Sequence, residues 1–356
     1  MDSEPEPTIK KLTFRVVLNA LGQPLIEAEV LTEYGIFRGQ SNQYVQEKFP
    51  KKLLKEIIFW NLNDYEALER KLPTACPIHS QALAQALFLA SAAQQKFTFL
   101  NYIQKLAKRE KQNIPAPIFL LDSIKGVDVY ITCVIAQNLT DAIKQIVEFK
   151  QKLEKQEQIM EEANKKILSQ NPPGKVEPIT LEKYLDMLQI CIKDSNIRFH
   201  IDLHYDTLMT EKGYNGFNVV MNKEDYVPYV NQLVKKYGII SIQNAYIDNE
   251  QIDVLQHIIN DIPYLRNERQ IIDPTQFAIS QLFEFLRTNR HKIVFDLRNI
   301  QTDDTFWSQV AIGANMEQIL VGDIHKQTSW SKVNEMRRTE EGNEFIYGCE
   351  EWVVGI

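Results

Sequence analysis

The sequence lacks the marks of several protein classes. It holds four cysteines, Cys76, Cys133, Cys191 and Cys349, far apart and without a Cys-x-x-Cys pair. Reduced cysteines in a cytosolic setting are the plain reading. There is no basic excess: net charge is −7 and the pI about 5.6. That balance argues against nucleic acid and against anionic membrane surfaces as partners. There is no long hydrophobic run. The most apolar stretch, "ALAQALFLASAA", is cut by Gln85 and suits a buried helix rather than a membrane span. The acidic opening "MDSEPEPT" is unlike a secretory or mitochondrial leader. Gly-rich phosphate loops, Gly-x-Ser-x-Gly and His-Glu-x-x-His are absent. So are repeats of about 20–50 residues.

What is present is ordinary for a soluble globular protein: 44% hydrophobic and 24% charged residues. At 356 residues the chain is long enough for one large domain or two. "KLTFRVVLNALGQPLIEAEVLTEYGIFRG" alternates apolar and polar residues in two runs, with turns at Gly22-Gln23-Pro24 and Gly35. That predicts an antiparallel meander. Residues 79–107 follow as helices, with Ser80 as N-cap.

From Pro115 onward short apolar strands recur: "IFLLD", "VYITCVIA", "RFHIDLHY", "GIISIQN", "RQIID", "KIVFDLRN" and "EQILVG". After the first two of these, amphipathic stretches at about 138–155, 180–194, 223–236, 250–260, 275–289, 304–316 and 328–341 alternate with the strands. This alternation predicts βα units, a parallel sheet and a barrel. Thr180 is the expected N-cap of the second stretch. Residues 151–179, charged and then Pro/Gly-rich, read as a solvated helix end and a loop.

Strand ends carry the polar candidates, as barrel sites require. His200, Asp202 and His204 alternate and so share one strand face. The pattern suits a transition-metal site or hydrogen-bonded histidines. Gln243, Asn244, Asp273 and Asp296 end further strands. Asp296 interrupts an apolar run, and a buried unpaired carboxylate is costly. Arg298, next on the same face, is its expected partner.

In order along the chain, these motifs resemble enolase. "NALGQPLIEAEV" and "TEYGIFR" resemble the family's opening segment. "YGIISIQNAY", "IVFDLRNIQT", "DDTFWSQVAIGANMEQILVG" and "KVNEMRRTEE" resemble its later strand ends and closing helix. The resemblance implies an enolase-like α/β fold: an N-terminal α+β capping domain over 8–112, then a TIM-type (β/α) barrel over 113–356. The barrel would carry a charged insertion at 151–179. It would lack about one strand–helix unit, because "RNIQT" runs directly into "DDTFW".

Enolases dehydrate 2-phosphoglycerate with a lysine base and two Mg2+ ions. The resemblance places the metal carboxylates at Asp202, Gln243 and Asp273, so two carboxylates survive as a vestigial set. It places the catalytic lysine at Asp296, the second lysine at Leu320 and an acidic partner at Thr132. The mobile Ser-rich loop corresponds to "NQYVQ" at 42–46, and a Gly-rich turn shrinks to "DSIKGVD". An anion in place of the cation repels a phosphorylated acid. At about 4 Å and an effective dielectric near 20, each such pair is worth roughly 4 kcal/mol.

The expected function is therefore a non-catalytic scaffold with no required cofactor, Mg2+ binding being at most weak. The alternatives are a phosphopyruvate hydratase using His200 or His204 as base, and a metal- or ligand-binding module built on His200, Asp202, His204 and Asp273. Expected partners are proteins of a larger complex. They would dock at the gap near Asn299–Trp307, the 151–179 segment or the chain ends, with Trp352 a core anchor; a homodimer is a further option. Enolase-like paralogues in cilia make the ciliary axoneme, with its central apparatus, the expected setting within the cytoplasm.

Overall fold

Alternating side chains build the first layer of the molecule. The structure is a computed structural model and describes residues 8–42, 57–58, 60–72, 77–108, 113–124, 126–170, 179–216, 220–244, 270–289, 293–341 and 345–348. β1 (Ile9–Leu18), β2 (Pro24–Thr32) and β3 (Gly35–Gln40) precede α1 (Tyr65–Arg70), α2 (Pro77–Gln94) and α3 (Phe99–Ala107). Next come β4 (Ala116–Ile124), β5 (Val127–Cys133), α4 (Leu139–Gln170), α5 (Leu181–Ile192), β6 (Ile197–Asp202), α6 (Lys223–Tyr237) and β7 (Ser241–Gln243). β8 (Gln270–Ile272), α7 (Ile279–Thr288), β9 (Ile293–Asp296), α8 (Phe306–Gly313), β10 (Gln318–Asp323) and α9 (Gln327–Glu340) follow. The fold is mixed α/β and divides into two compact units.

The first unit takes the described residues of Met1–Pro115, Gln270–Gly322 and Lys326–Phe345. Its meander is antiparallel, as the alternation predicts, with Arg15 opposite Glu27 and Glu29 opposite Arg38. Arg15 and Arg38 both reach Glu29, at 2.6 and 2.8 Å. The Arg38 hydrogen bond is the main cause holding that carboxyl below its usual range. The opposite face meets α2 so closely that a Cβ on Gly39 would lie 2.2 Å from the Ala82 carbonyl oxygen. Glycine is required there. Phe88 of α2 anchors an aromatic core, with Tyr65, Tyr102, Phe283 and Phe306 at centroid distances of 4.8, 5.0, 5.7 and 5.8 Å. β8, β9 and β10 of this unit run parallel in that order. Between β9 and β10 the chain carries one helix, α8, and no strand.

The second unit takes the described residues of Ala116–Arg269, Asp323–His325 and Ile346–Ile356. β4, β5 and β6 pair antiparallel in sequence, and β7 joins β6 in parallel. The parallel sheet expected from the alternation is thus preceded by antiparallel pairing of β4, β5 and β6. Too few residues separate Ile124 from Val127 for a crossover, so the chain must return as a hairpin.

Two local expectations are corrected. Ser80 lies inside α2 rather than at its N-cap, because the helix starts at Pro77, a residue with no N–H to leave unsatisfied. The helix expected over about 138–155 is longer: the solvated helix end expected from 151 continues, and α4 runs 32 residues to Gln170. Leu139, Ala142, Ile146, Phe149 and Leu153 bury one stripe of it. The charged continuation is rich in Glu, Lys and Gln, which favour helix, and the breakers Pro172 and Pro173 come later. Thr180 caps α5 as expected, accepting from the Lys183 N–H at 3.1 Å. The 171–178 loop, the helix expected at 250–260, Gln43–Gln46, Cys76, Cys349 and Trp352 lie outside the described residues. Among the described residues no helix is long and apolar enough to cross a membrane.

Candidate functional site

In the second unit the strand register brings three polar residues abreast. Asp128 of β5 pairs with Asp202 of β6, and Asp202 with Gln243 of β7. Asp202 is 3% exposed and His200, two residues earlier on the same face, is 4% exposed. Both are ordered by the strand rather than by solvent. Asp202 accepts from the Asn244 amide nitrogen at both oxygens, 2.9 and 3.0 Å, and from the His204 backbone N–H at 3.1 Å. His204 and Asn244 both have left-handed backbone, φ 43° and 45°. The turn out of each strand therefore folds its donor back onto Asp202. The His204 ring lies between two carboxylates, with Nε2 3.1 Å from Asp128 and Nδ1 3.7 Å from Asp202.

Sequence reasoning placed His200, Asp202, His204, Gln243 and Asn244 at strand ends, and the structure brings them together. It missed Asp128. The short hairpin after "IFLLD" makes β5 antiparallel to β4, but only the pairing of β5 with β6 sets Asp128 beside Asp202, and no local signal carries that register. Thr132, the expected counterpart of an acidic residue, is buried and donates to the Pro117 carbonyl at 3.0 Å. Its hydroxyl serves the sheet.

In the first unit Asp273 follows β8 and caps a short 3-10 turn. Its Oδ1 accepts from the Thr275 backbone N–H at 2.9 Å and hydroxyl at 2.6 Å. Asn42 donates its amide to that hydroxyl oxygen at 2.6 Å.

Asp296 ends β9 directly opposite Leu320 of β10. The two positions that resemblance assigns to enolase lysines are thus register partners, one anionic and one apolar. Arg298 closes over Asp296: Nε donates at 2.9 Å to Oδ1, NH2 at 2.7 Å to Oδ2, and the backbone N–H at 3.0 Å to Oδ1. The expected pair is formed, and it answers the desolvation cost of a carboxylate only 8% exposed.

Two further ionisable groups, Lys332 and Asp304, were not singled out by sequence reasoning. Lys332 of α9 is 1% exposed and donates to the Ile300 carbonyl at 2.8 Å. Burial lowers its pKa to about 8, against the pull of Asp304 and Asp296. Burial pushes the Asp304 carboxyl up to about 6. Along Asn299–Trp307, the expected docking gap, Ile300, Thr302, Phe306 and Trp307 are buried, while Asn299 and Asp303 are exposed.

Neither unit's donor set fits a hard divalent ion well. Mg2+ prefers carboxylate oxygens free to coordinate. Both oxygens of Asp202 face an amide nitrogen, and Gln243 contributes no charge. Oδ1 of Asp273 is taken by Thr275. Among the described residues no group of three or more His, Cys, Asp or Glu side chains is arranged to hold a metal.

No family model matches the chain. Over 168 residues it is 26% identical to the enolase of Anaplasma phagocytophilum, covering 40% of this chain and 39% of that protein. Over 199 residues it is 23% identical to the enolase of Sulfurisphaera tokodaii, covering 48% of this chain and 47% of that one. An enolase of Ehrlichia chaffeensis is 21% identical over 167 residues, 40% of each chain. The chain spans less than half the length of the curated relatives it matches. These partial similarities support a distant relationship to the enolases.

Proposed function

We propose that this chain is a non-catalytic, enolase-like structural protein, a subunit of a larger protein assembly. The observation that carries the reading is the guanidinium of Arg298 on Asp296, where enolase-like catalysis calls for a lysine. A carboxylate locked in this way neither accepts the proton alpha to a carboxylate nor attracts a phosphorylated acid. The apolar Leu320 opposite it and the hydrogen-bonded Thr132 point the same way. Under this reading the fold is the enolase-type capping domain over 8–112 followed by a TIM-type barrel over 113–356. The direct β9-to-β10 connection through one helix supports a barrel short of one strand–helix unit.

The partners of this reading are proteins. The exposed face of α4 over Glu154–Glu162 is the docking element it favours, and a ciliary axoneme is the setting. The test is the native complex. The endogenous protein should elute in a particle far larger than 41.4 kDa and co-purify with fixed stoichiometric partners. Elution as a free monomer would contradict the structural role.

A further inference from the structure

β1 is an edge strand of the three-stranded meander. Its first residues carry the usual guard of a sheet edge, the exposed Lys10 and Lys11. Its last residues, Arg15-Val16-Val17-Leu18, have no such guard. The one charge among them is already bound, with Arg15 at 3.5 Å from Glu27 and 2.6 Å from Glu29. Leu18, Val16 and Leu21 are the three most exposed large apolar side chains among the described residues, at 68, 64 and 61%. All three gather at this end of β1 and in the turn that follows it. Clustered exposed apolar side chains mark contact surfaces, where scattered ones do not.

The backbone of the same residues is open as well. The Asn19 N–H donates to the Gln23 carbonyl at 2.9 Å, and Val17 lies opposite Leu25, two residues further from the turn on each strand. Facing residues in an antiparallel ladder alternate between bonded and unbonded pairs. Arg15 and Val17 therefore turn their N–H and C=O groups toward β2, and Val16 and Leu18 turn theirs outward. Leu18 faces Pro24, which has no N–H to offer it. Among the described residues the outward groups of Val16 and Leu18 have no partner. Open backbone groups beside exposed apolar side chains are a template for a further strand.

We propose that this edge pairs with the same edge of a second copy of the chain, β1 against β1, antiparallel about a two-fold axis at Val17. In that register Val16 lies opposite Leu18 of the second copy, and Leu18 opposite its Val16. Every outward N–H and C=O of these residues then finds a partner. Val17 faces Val17 as an unbonded pair on the axis, and Arg15 faces Asn19. Apolar meets apolar and no like charges face each other, so the segment is complementary to itself. That is the reason to prefer a second copy over an unrelated strand. A two-fold contact of this kind closes at a dimer. The proposal stands apart from the structural role argued above, since no residue of the Asp296–Arg298 pair takes part.

Sedimentation velocity of the full chain alone, across a concentration series, tests this. A contact this short is small for an interface, so the dimer should form with a Kd of about 1–100 μM. Its mass should be twice the 41.4 kDa of the chain. Val16→Pro removes an outward N–H, leaves the β2 ladder whole and should weaken dimerisation at least about tenfold. Val16→Lys/Leu18→Lys sets like charges opposite each other and should leave a monomer. Val16→Lys/Leu18→Glu sets opposite charges in the same slots and should restore the dimer, which a patch without register would not do. Val17→Cys brings two thiols together at a Cα separation of about 4.5 Å and should give a disulfide-linked dimer above the wild-type background on mild oxidation. Lys11→Cys should not. The proposal is overturned by a wild type that stays monomeric across the series, by a dimer that folded Val16→Pro leaves unchanged, or by the absence of a link through Val17→Cys. A monomeric chain overturns this contact alone; the native-complex measurement decides the structural role separately.

Discussion

Arg298 grips Asp296 through its guanidinium and its own backbone N–H at once, at 2.9, 2.7 and 3.0 Å, two residues along the same strand end. The pair is mostly buried, with side-chain exposures of 29% and 12%. A buried pair costs most when one partner is removed alone. Arg298→Met should therefore destabilise the protein by about 2 kcal/mol, and Asp296→Asn by less. The double variant should recover a good part of the Arg298→Met loss, because no uncompensated charge remains. Urea unfolding of the three variants checks this; strictly additive losses would refute the coupling.

Lys332 and Asp304 give stability a distinctive pH profile. Asp304 titrates near 6 in the folded protein, above its unfolded value of 3.8. The folded state then holds the extra proton between those values, so stability falls as pH rises from about 4 to 6. Lys332 titrates near 8, below its unfolded 10.5. Here the unfolded state holds the extra proton, so stability rises as pH goes from about 8 to 10.5, by at most about 3 kcal/mol. The gap in unfolding free energy between the wild type and Lys332→Met should widen in favour of the wild type from about pH 8 to 10.5, while the buried Cys133 thiol, pushed up to about 12, lowers the stability of both above pH 9. A gap that stays constant over that range would assign the effect elsewhere.

Asn244 holds Asp202 from a left-handed turn, φ 45°. Asn244→Ala should cost about 2 kcal/mol, from a lost charge-assisted hydrogen bond and from a Cβ residue in that conformation. Asn244→Gly relieves the backbone but not the bond, and should cost about 1 kcal/mol. Asn244→Asp, which sets two carboxylates together, should be the least stable of the three at neutral pH. Equilibrium denaturation ranks them.

Glu69 caps α7 from 210 residues away in sequence, at the Ile279 N–H. Glu69→Ala should lose about 1–2 kcal/mol, since two backbone N–H groups of a helix start lose their acceptor. Glu69→Gln, which keeps one acceptor oxygen, should lose about half as much. Thermal unfolding would separate them.

Much of the fold was legible in the sequence because periodicity reports which face is buried. The meander followed from two alternating runs, and the Thr180 cap from one hydroxyl before an apolar helix face. The Asp296–Arg298 pair followed from the cost of burying a lone charge. The length of α4 was not legible, because charge alone does not end a helix and its terminal signal lies at Pro172. Nor was the role of Asp128, which depends on the antiparallel pairing of β5 with β6. The buried Lys332 was hidden for another reason. A lysine in an amphipathic helix normally reads as solvated, and only the packing of α9 puts its ammonium against the Ile300 carbonyl.

The central claim is that an arginine-bound carboxylate has replaced the base of enolase-like chemistry. Conversion of 2-phosphoglycerate to phosphoenolpyruvate, with Mg2+ present, substrate in excess and the full chain at high concentration, is the decisive measurement. The rate should be indistinguishable from the buffer blank, for the wild type and for Asp296→Asn alike. Turnover above the blank that depends on Mg2+ and disappears in His204→Ala or Asp202→Asn would contradict it.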